Sequence, residues 1–229
     1  MHKTLKILVA TTNPGKLSEI SQMLDFDIDW VSLSDFPDTK EIIEDGKTFA
    51  ENARKKALGY AKQTHLWTLA DDSGLVVDAL NGAPGVNSAR FSCLAPTPAV
   101  GVTKEYLAAG FTGGSPKNRQ LLDHKNMQKV LTLLKDIPKQ KRTARFACSL
   151  CLASPQKVLL ETEGKLEGII AEKEAGSNGF GYDPIFFLPD LDKTVAQLSV
   201  KEKNSISHRG NAVRKFAPLL HKLIQNQKP

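Results

Sequence analysis

Apolar positions in the first third of the chain follow two different periods. Residues 5–10 are almost continuously apolar and predict a buried strand, and residues 66–70 predict a second one. Between them, apolar side chains recur at helical spacing at Leu17, Ile20, Met23 and Leu24. Thr48 and Glu51 fit a capping box, which predicts a helix over about 49–63. The predicted order is strand, helix, helix and strand.

The rest of the chain is richer in strands. Its pattern predicts a helix near 123–135, strands near 143–153, 157–163 and 165–171, and a closing helix near 210–226. Helices and strands that alternate early and give way to consecutive strands later are typical of an α/β protein. We therefore expect a mixed sheet flanked by helices, in one domain over the whole chain.

Two features interrupt this pattern. Between about 92 and 120, prolines and glycines surround a short apolar stretch, which predicts an irregular insertion. Pro218 falls within the apolar pattern of the closing helix. Because proline lacks a backbone N–H and clashes with the preceding turn, we expect it to kink that helix or to split it.

Composition narrows the class of protein. The 229 residues are 41% hydrophobic and 24% charged, enough for one sizeable core or two closely joined lobes. No apolar run approaches the roughly 18 residues of a membrane span, and no signal peptide is visible, so we expect a cytoplasmic protein with no membrane partner. The net charge of +6 leaves a nucleic-acid-binding module conceivable. Its basic residues are dispersed and no nucleic-acid-binding motif is present, so no nucleic-acid partner is expected.

Cys148 and Cys151 form a C-x-x-C motif inside the predicted strand 143–153. Side chains three positions apart on a strand point to opposite faces, so the two thiols are not expected to share a metal or a disulfide. The sequence predicts core thiols.

Two adjacent acids, Asp71 and Asp72, follow the second predicted strand and precede Ser73 and Gly74. Neighbouring carboxylates repel, and neither can be buried without a partner, which a divalent cation or a transferable proton commonly supplies. The pair therefore indicates a catalytic site at the end of a strand. The alternative is a solvated turn, because Asp and Gly are ordinary turn residues.

The turn over residues 11–16 links the first strand to the first helix. Asn13 fits the N-cap position and Pro14 the first helical position. A helix N-terminus beside the Lys16 ammonium suits a phosphate group. The spacing is not that of a Walker A loop, and an ordinary strand-to-helix turn remains the alternative.

Glu44 lies in the loop before the second helix, where it is free to reach a metal held by the acid pair. An exposed loop acid is the alternative. The neighbouring basic residues Arg54, Lys55 and Lys56 are most simply the solvated face of that helix.

Glycine-flanked aromatic residues stand out in the C-terminal half. Phe180 and Tyr182 could stack on a flat base, or they could be core residues. Further along the chain, Lys203 and Arg209 could neutralise phosphates, and His208 could hydrogen-bond a base or a phosphate.

A serine hydrolase is not indicated by the pair Ser207 and His208. Adjacent side chains on a turn or a helix diverge, and the chain has no G-x-S-x-G motif.

The motifs occur in an order that resembles the inosine/xanthosine triphosphate pyrophosphatases. The shared motifs are Thr-x-Asn-x-Gly-Lys at 11–16, Glu44 with Gly46 and the segment 48–53, Ala-Asp-Asp-Ser-Gly-Leu at 70–75, the segment 82–90, Gly-Phe-Gly-Tyr-Asp-Pro at 179–184, and Ser-x-Ser-His-Arg-Gly at 205–210. They cover nearly the whole chain. The resemblance implies hydrolysis of inosine, deoxyinosine and xanthosine triphosphates to the monophosphate and pyrophosphate, by an elongated two-lobed homodimer with a cleft between the lobes.

The resemblance also implies residue roles. Asp72 matches the proton acceptor and, with Glu44, a ligand of Mg²⁺, while Asp71 and Lys16 support catalysis. Substrate contacts are implied for Thr11, Thr12, Asn13, Pro14, Gly15, Lys16, Ser73, Phe180, Gly181, Tyr182, Asp183, Lys203, His208 and Arg209. Such a reaction needs an activated water, a metal on phosphate oxygens and cations for the leaving group, and these residue types can supply all three.

Overall fold

The computed structural model describes residues 5–11, 14–24, 26, 28–94 and 116–226. Over these residues seven strands form one sheet in the order β2-β1-β3-β4-β5-β6-β7. They are β1 (Lys6–Val9), β2 (Asp29–Ser32), β3 (Trp67–Val77), β4 (Thr143–Ala153), β5 (Val158–Ile170), β6 (Phe186–Leu188) and β7 (Lys193–Thr194). Strand β1 is parallel to β2 and β3, whereas β6 is antiparallel to β5 and β7. The predicted mixed α/β sheet is confirmed.

Five α-helices lie in the described part of the chain. They are α1 (Pro14–Met23), α2 (Phe49–Thr64), α3 (Pro116–Leu133), α4 (Val200–Ile206) and α5 (His208–Gln225). The predicted cap of α2 is confirmed, because the Thr48 hydroxyl accepts the Glu51 N–H at 3.1 Å. Helix α1 begins at Pro14 as predicted, and Asn13 lies outside the described residues.

Three sequence predictions need correction. Helix α3 begins at Pro116, so the last residues of the predicted insertion are helical, while 95–115 lie outside the described residues. Strand β5 is continuous through Gly164, where a break was predicted. A Cβ there would come within 2.1 Å of the His208 carbonyl oxygen, so this glycine serves the close approach of α5 rather than a turn.

Helix α5 also continues through Pro218, so of the predicted kink or split the split is wrong. Pro218 and Arg214 both lie on the exposed face of the helix. Pro218 has no N–H, so the Arg214 carbonyl has no donor within the helix. Because this face is exposed, water can take the place of that donor.

The chain divides into two compact units. Unit 1 comprises Met1–Ser73, Phe146–Leu166 and Asn204–Pro229, and unit 2 comprises Gly74–Arg145 and Glu167–Lys203. No helix in the described ranges is long and apolar enough to cross a membrane.

Two hydrophobic clusters lie among the described residues of unit 1, and their members alternate along its strands. One cluster contains Leu69 and Cys148 with side chains from α1 and α5. The other contains Ala70 and Cys151 with side chains from α2. Because neighbours on a strand point to opposite faces, α1 and α5 cover one face of these strands and α2 the other. The prediction of separate core thiols is confirmed.

In unit 2, helix α3 packs against the 3₁₀ segment Gly85–Cys93. The buried Asn126 side chain fixes this contact. Its amide nitrogen donates to the carbonyls of Ser88 and Ala89, and its oxygen accepts the Ser92 N–H. Asn126 is 1% exposed, and these bonds satisfy its polar atoms in the interior.

Candidate active site

Asp71 and Asp72 lie in the middle of strand β3, not beyond its end as predicted. Their side chains consequently point to opposite faces of the strand. Asp71 faces α1 and α5, like Leu69 two residues earlier, and Asp72 faces α2, like Ala70. Each buried carboxylate therefore has its own set of partners, which removes the repulsion that the sequence suggested.

Asp71 is held by two cations. Its Oδ2 lies 3.1 Å from Lys16 Nζ on α1 and 3.2 Å from Arg209 Nη2 on α5. Burial acts to raise the pKa of Asp71, but Lys16 and Arg209 outweigh it and hold that pKa well below its usual value. Asp71 Oδ1 is buried and has no hydrogen-bond partner among the described residues.

Arg209 is 1% exposed and lies in a buried network rather than on the surface. Besides Asp71, its guanidinium forms an ion pair with Glu19 on α1 and donates to the Ser73 hydroxyl at 2.9 Å. The acids raise the pKa of Arg209 against the opposing effect of burial. Glu19 was missed in the sequence, although it lies one helical turn after Lys16 and so shares its face.

Asp72 is tied to the start of helix α2. The Asn52 side chain donates to Asp72 Oδ2 at 3.0 Å and accepts the Gly46 N–H at 2.8 Å, which anchors the loop that carries Glu44. Burial raises the pKa of Asp72, and nearby Glu44 adds to the rise, while Lys56 opposes it. Adjacent acids with pKa values shifted in opposite directions are suited to different roles.

Lys56 is buried, so the prediction that it belongs to a solvated face is wrong. Its ammonium donates to the Asp71 carbonyl at 2.7 Å and lies 3.0 Å from Glu44 Oε2. The buried stripe of α2 comprises Asn52, Ala53, Lys56, Ala57, Tyr60 and Ala61. Helical spacing from Ala53 and Tyr60 was the signal that placed Lys56 inside, whereas Arg54 and Lys55 are exposed as predicted.

The structure also gives local contacts for other residues that the sequence singled out in unit 1. His208 is buried, and its ring stacks on Phe146 with centroids 4.9 Å apart. Ser207 caps α5 by accepting the Gly210 N–H, consistent with the rejection of a serine nucleophile. Thr11 continues from β1, while Thr12 lies outside the described residues.

A second group of predicted residues lies in unit 2. Asp183 Oδ2 accepts the Phe180 N–H at 2.9 Å and the Lys203 ammonium at 2.6 Å. The same ammonium lies 4.5 Å from the centroid of the Phe180 ring. Asp183 and Lys203 are buried, and the Phe180 ring is half-buried, which leaves part of it available for stacking.

Tyr182 is buried, as the core interpretation of this residue predicts. It is 5% exposed, and its hydroxyl donates to the Ser88 carbonyl at 2.8 Å. Burial raises the pKa of Tyr182 far above its usual value. Of the predicted aromatic pair, Tyr182 is therefore buried, whereas Phe180 is partly exposed.

The acids that could hold a metal are few. Within the described ranges, no three His, Cys, Asp or Glu side chains form a cluster that would bind a metal by themselves. Mg²⁺ commonly takes one or two carboxylates and completes its shell with waters and substrate phosphates. Glu44 and Asp72, both near the Lys56 ammonium, are a donor set of that kind.

The site combines buried carboxylates on a mixed α/β sheet with lysines beside them, and one of these lysines lies in the first turn of a helix. These are the features of an enzyme that hydrolyses phosphate compounds. The chain belongs to the Ham1 family, whose model matches residues 7–219.

Individual relatives match over nearly their full length. The chain is 42% identical to a dITP/XTP pyrophosphatase of Desulforamulus reducens, with 97% of this chain and 99% of the relative aligned. It is 46% identical to a dITP/XTP pyrophosphatase of Shouchella clausii over 91% of this chain and 92% of the relative. A solved HAM1 protein from Coxiella burnetii has a TM-score of 0.77 at 38% identity, covering 96% of this chain and 100% of that one.

Proposed function

We propose that the protein hydrolyses inosine, deoxyinosine and xanthosine triphosphates to the nucleoside monophosphate and pyrophosphate, which removes deaminated purines from the nucleotide pool. The proposal rests on the surroundings of the Asp72 carboxylate. Glu44, Lys56 and Asn52 lie near it on one face of β3, and Lys16 lies on the other face. The two full-length relatives described above carry the name dITP/XTP pyrophosphatase.

Asp72 is the proposed proton acceptor for the attacking water. The Asn52 amide and the Ser73 N–H each donate to one oxygen of this carboxylate, at 3.0 Å in both cases. These bonds fix its orientation and leave further lone pairs for the water. A carboxylate whose pKa is raised by burial is a stronger base than an exposed one, which suits proton abstraction.

Glu44 and Asp72 would hold Mg²⁺, which when bound neutralises charge on phosphate oxygens. The donor set fits, because both side chains are carboxylates and the rest of the shell would come from water and phosphate. Lys56 holds Glu44 in place through their 3.0 Å ion pair.

Lys16 and the first turn of α1 would bind the triphosphate. The Lys16 side chain is 16% exposed and lies in the first turn of α1, where backbone N–H groups have no acceptor within the helix itself. A cation at this point stabilises negative charge on the departing pyrophosphate.

Phe180 and Lys203 would recognise the base. The exposed part of the Phe180 ring can stack on a purine, and the Lys203 ammonium beside it can donate to a 6-oxo group. An ammonium has no acceptor, so it cannot pair with the 6-amino group of adenine. Such a mismatch of buried polar groups gives strong discrimination.

The test is an assay of the purified protein with dITP, ITP, XTP and ATP, with and without Mg²⁺. We expect release of pyrophosphate from the first three, little turnover of ATP, and loss of activity in EDTA. Release of orthophosphate would indicate a phosphatase instead. Pyrophosphate release with another preferred base would favour the alternative, a related nucleoside triphosphate pyrophosphatase of different specificity.

We further propose that the enzyme is a homodimer and that it works in the cytoplasm. The resemblance supports the first statement, and the location of the nucleoside triphosphate pool supports the second. Analytical ultracentrifugation tests the oligomeric state directly, and a single species with the mass of one chain would contradict it.

A further inference from the structure

Two carboxylates from different elements hold consecutive backbone N–H groups in the segment 179–183 of unit 2. Asp183, within the segment, accepts the Phe180 N–H at 2.9 Å. Asp123, on helix α3, accepts the Gly181 N–H at 3.1 Å. The peptides on both sides of Phe180 are therefore each held by a carboxylate, and Asp123 comes from a distant part of the sequence.

This segment needs such support because of its backbone conformation. Gly179 and Gly181 have positive φ angles of 78° and 62°. Glycine gains conformational freedom from its lack of a side chain, so backbone contacts must select one orientation of these peptides. At Gly181 no described atom lies within 4 Å of the position that a Cβ would take. The hydrogen bond to Asp123 therefore helps to fix the Gly181 amide.

Helix α3 is well placed to act as a fixed support. Asn126, one turn after Asp123, binds the carbonyls of Ser88 and Ala89. The Tyr182 hydroxyl donates to the same Ser88 carbonyl at 2.8 Å. Hydrogen bonds thus join helix α3, the 3₁₀ segment Gly85–Cys93 and Tyr182 into one assembly. Asp123, on the same helix, holds the neighbouring Gly181 against it.

Partial burial makes this acid costly in the folded protein. It raises the pKa of Asp123, while the Gly181 N–H and Arg119 act in the opposite direction and Asp183 adds to the rise. A half-buried carboxylate that accepts the amide N–H of the glycine next to Phe180 is well placed to support this segment.

We propose that Asp123 is a positioning residue for base recognition: by holding the Gly181 amide it sets the orientation of the Phe180 ring and, through Asp183, its distance from the Lys203 ammonium. This inference rests on the proposed function, in which Phe180 and Lys203 contact the base. Asp123 itself makes no contact with substrate in this proposal.

The experiment compares Asp123→Ala with Asp123→Asn, whose side-chain oxygen can still accept the Gly181 N–H. Gln120→Ala, an exposed change on the same helix, is the matched control. For Asp123→Ala we expect KM for ITP to rise about 10-fold while kcat changes less than about 2-fold, because the lost hydrogen bond affects base binding rather than chemistry. Asp123→Asn and the control should stay within about 2-fold of the parent in both constants.

Amide hydrogen exchange supplies a readout that does not depend on activity. In Asp123→Ala we expect faster exchange in peptides covering 179–183 and unchanged exchange in the rest of α3. If Asp123→Ala does not fold, Asp123→Glu takes its place, because it moves the carboxylate by one methylene and should give the same two changes.

Three outcomes are distinguishable. An inactive parent protein on every purine triphosphate would remove the proposed function, and the inference with it. An active parent whose KM and exchange are unaltered by Asp123→Ala would overturn the inference alone. A fall in kcat and melting temperature with unchanged KM would show that Asp123 is merely structural.

Discussion

Arg209 offers the sharpest test of how the site is built, because the resemblance and the structure give it different roles. The resemblance implies that it contacts substrate. In the structure it is 1% exposed, and its guanidinium binds Asp71, Glu19 and Ser73. We predict that Arg209→Met destabilises the fold strongly, because methionine fills the space and leaves the acids without their cation.

The magnitude follows from burial. Removing one member of a buried ion pair costs about 3–5 kcal/mol, since the remaining charge stays in a medium of low polarity. Lys16 still faces Asp71 at 3.1 Å, so we expect the lower half of that range. A domain of this length loses about 2–4 °C in Tm for each kcal/mol, which predicts a fall of about 6–16 °C. The free energy of unfolding, from urea titration followed by circular dichroism, is the direct measurement.

Arg214→Met is the matched control, because Arg214 lies on the exposed face of the same helix. A surface substitution of this kind should change the free energy of unfolding by less than about 0.5–1 kcal/mol. The double variant Glu19→Gln with Arg209→Met should lose less than the sum of the single changes, because the two residues share one interaction. A loss below about 1 kcal/mol for Arg209→Met, together with a raised KM, would refute the buried network and favour a substrate contact.

Three further changes test the remaining groups. Asp72→Asn should lower kcat by about 10²–10⁴-fold, while Asp136→Asn, an exposed control, keeps full activity. Because burial raises the pKa of Asp72, the ionised carboxylate lowers the stability of the fold above that pKa. The melting temperature of Asp72→Asn at pH 8 should therefore be no lower than that of the parent. Any gain in melting temperature should become smaller towards pH 4, where the parent carboxyl is protonated more often. Lys16→Ala should lower kcat/KM for ITP, whereas Lys62→Ala, on the exposed side of α2, should not. Tyr182→Phe should lower stability by about 1–2 kcal/mol, seen in urea titration, with kcat unchanged.

Much of the secondary structure could be predicted from the sequence because the signals were local. The Thr48 cap of α2, the proline at the start of α1 and the long apolar alternation of β4 each act within a few residues. The wrong predictions concern residues whose surroundings are distant in sequence. Gly164 resembles a strand break until α5 is packed against it, and Pro218 is tolerated because its side of the helix is exposed.

The candidate site shows the same division. Asp72, Glu44 and Lys16 were identified from their motifs, but the burial of Lys56 and the role of Asn52 depend on which side of α2 faces the sheet. The contact of Asp123 with Gly181 joins residues 58 positions apart. A periodicity of apolar residues indicates a buried face, yet it does not say which polar side chains on that face find partners.

The position of the acid pair within a strand explains how two adjacent carboxylates can serve different purposes. A turn would have left both side chains in the same solvent, with similar pKa values. In β3 one carboxylate faces Lys16 and Arg209 and stays ionised, while the other faces α2, where burial raises its pKa. The Lys56 ammonium donates to the Asp71 carbonyl, which belongs to the peptide joining the two acids. The same lysine that holds Glu44 therefore also fixes the main chain between the acids, so the orientation of Asp72 depends on α2 through both its side chain and its backbone.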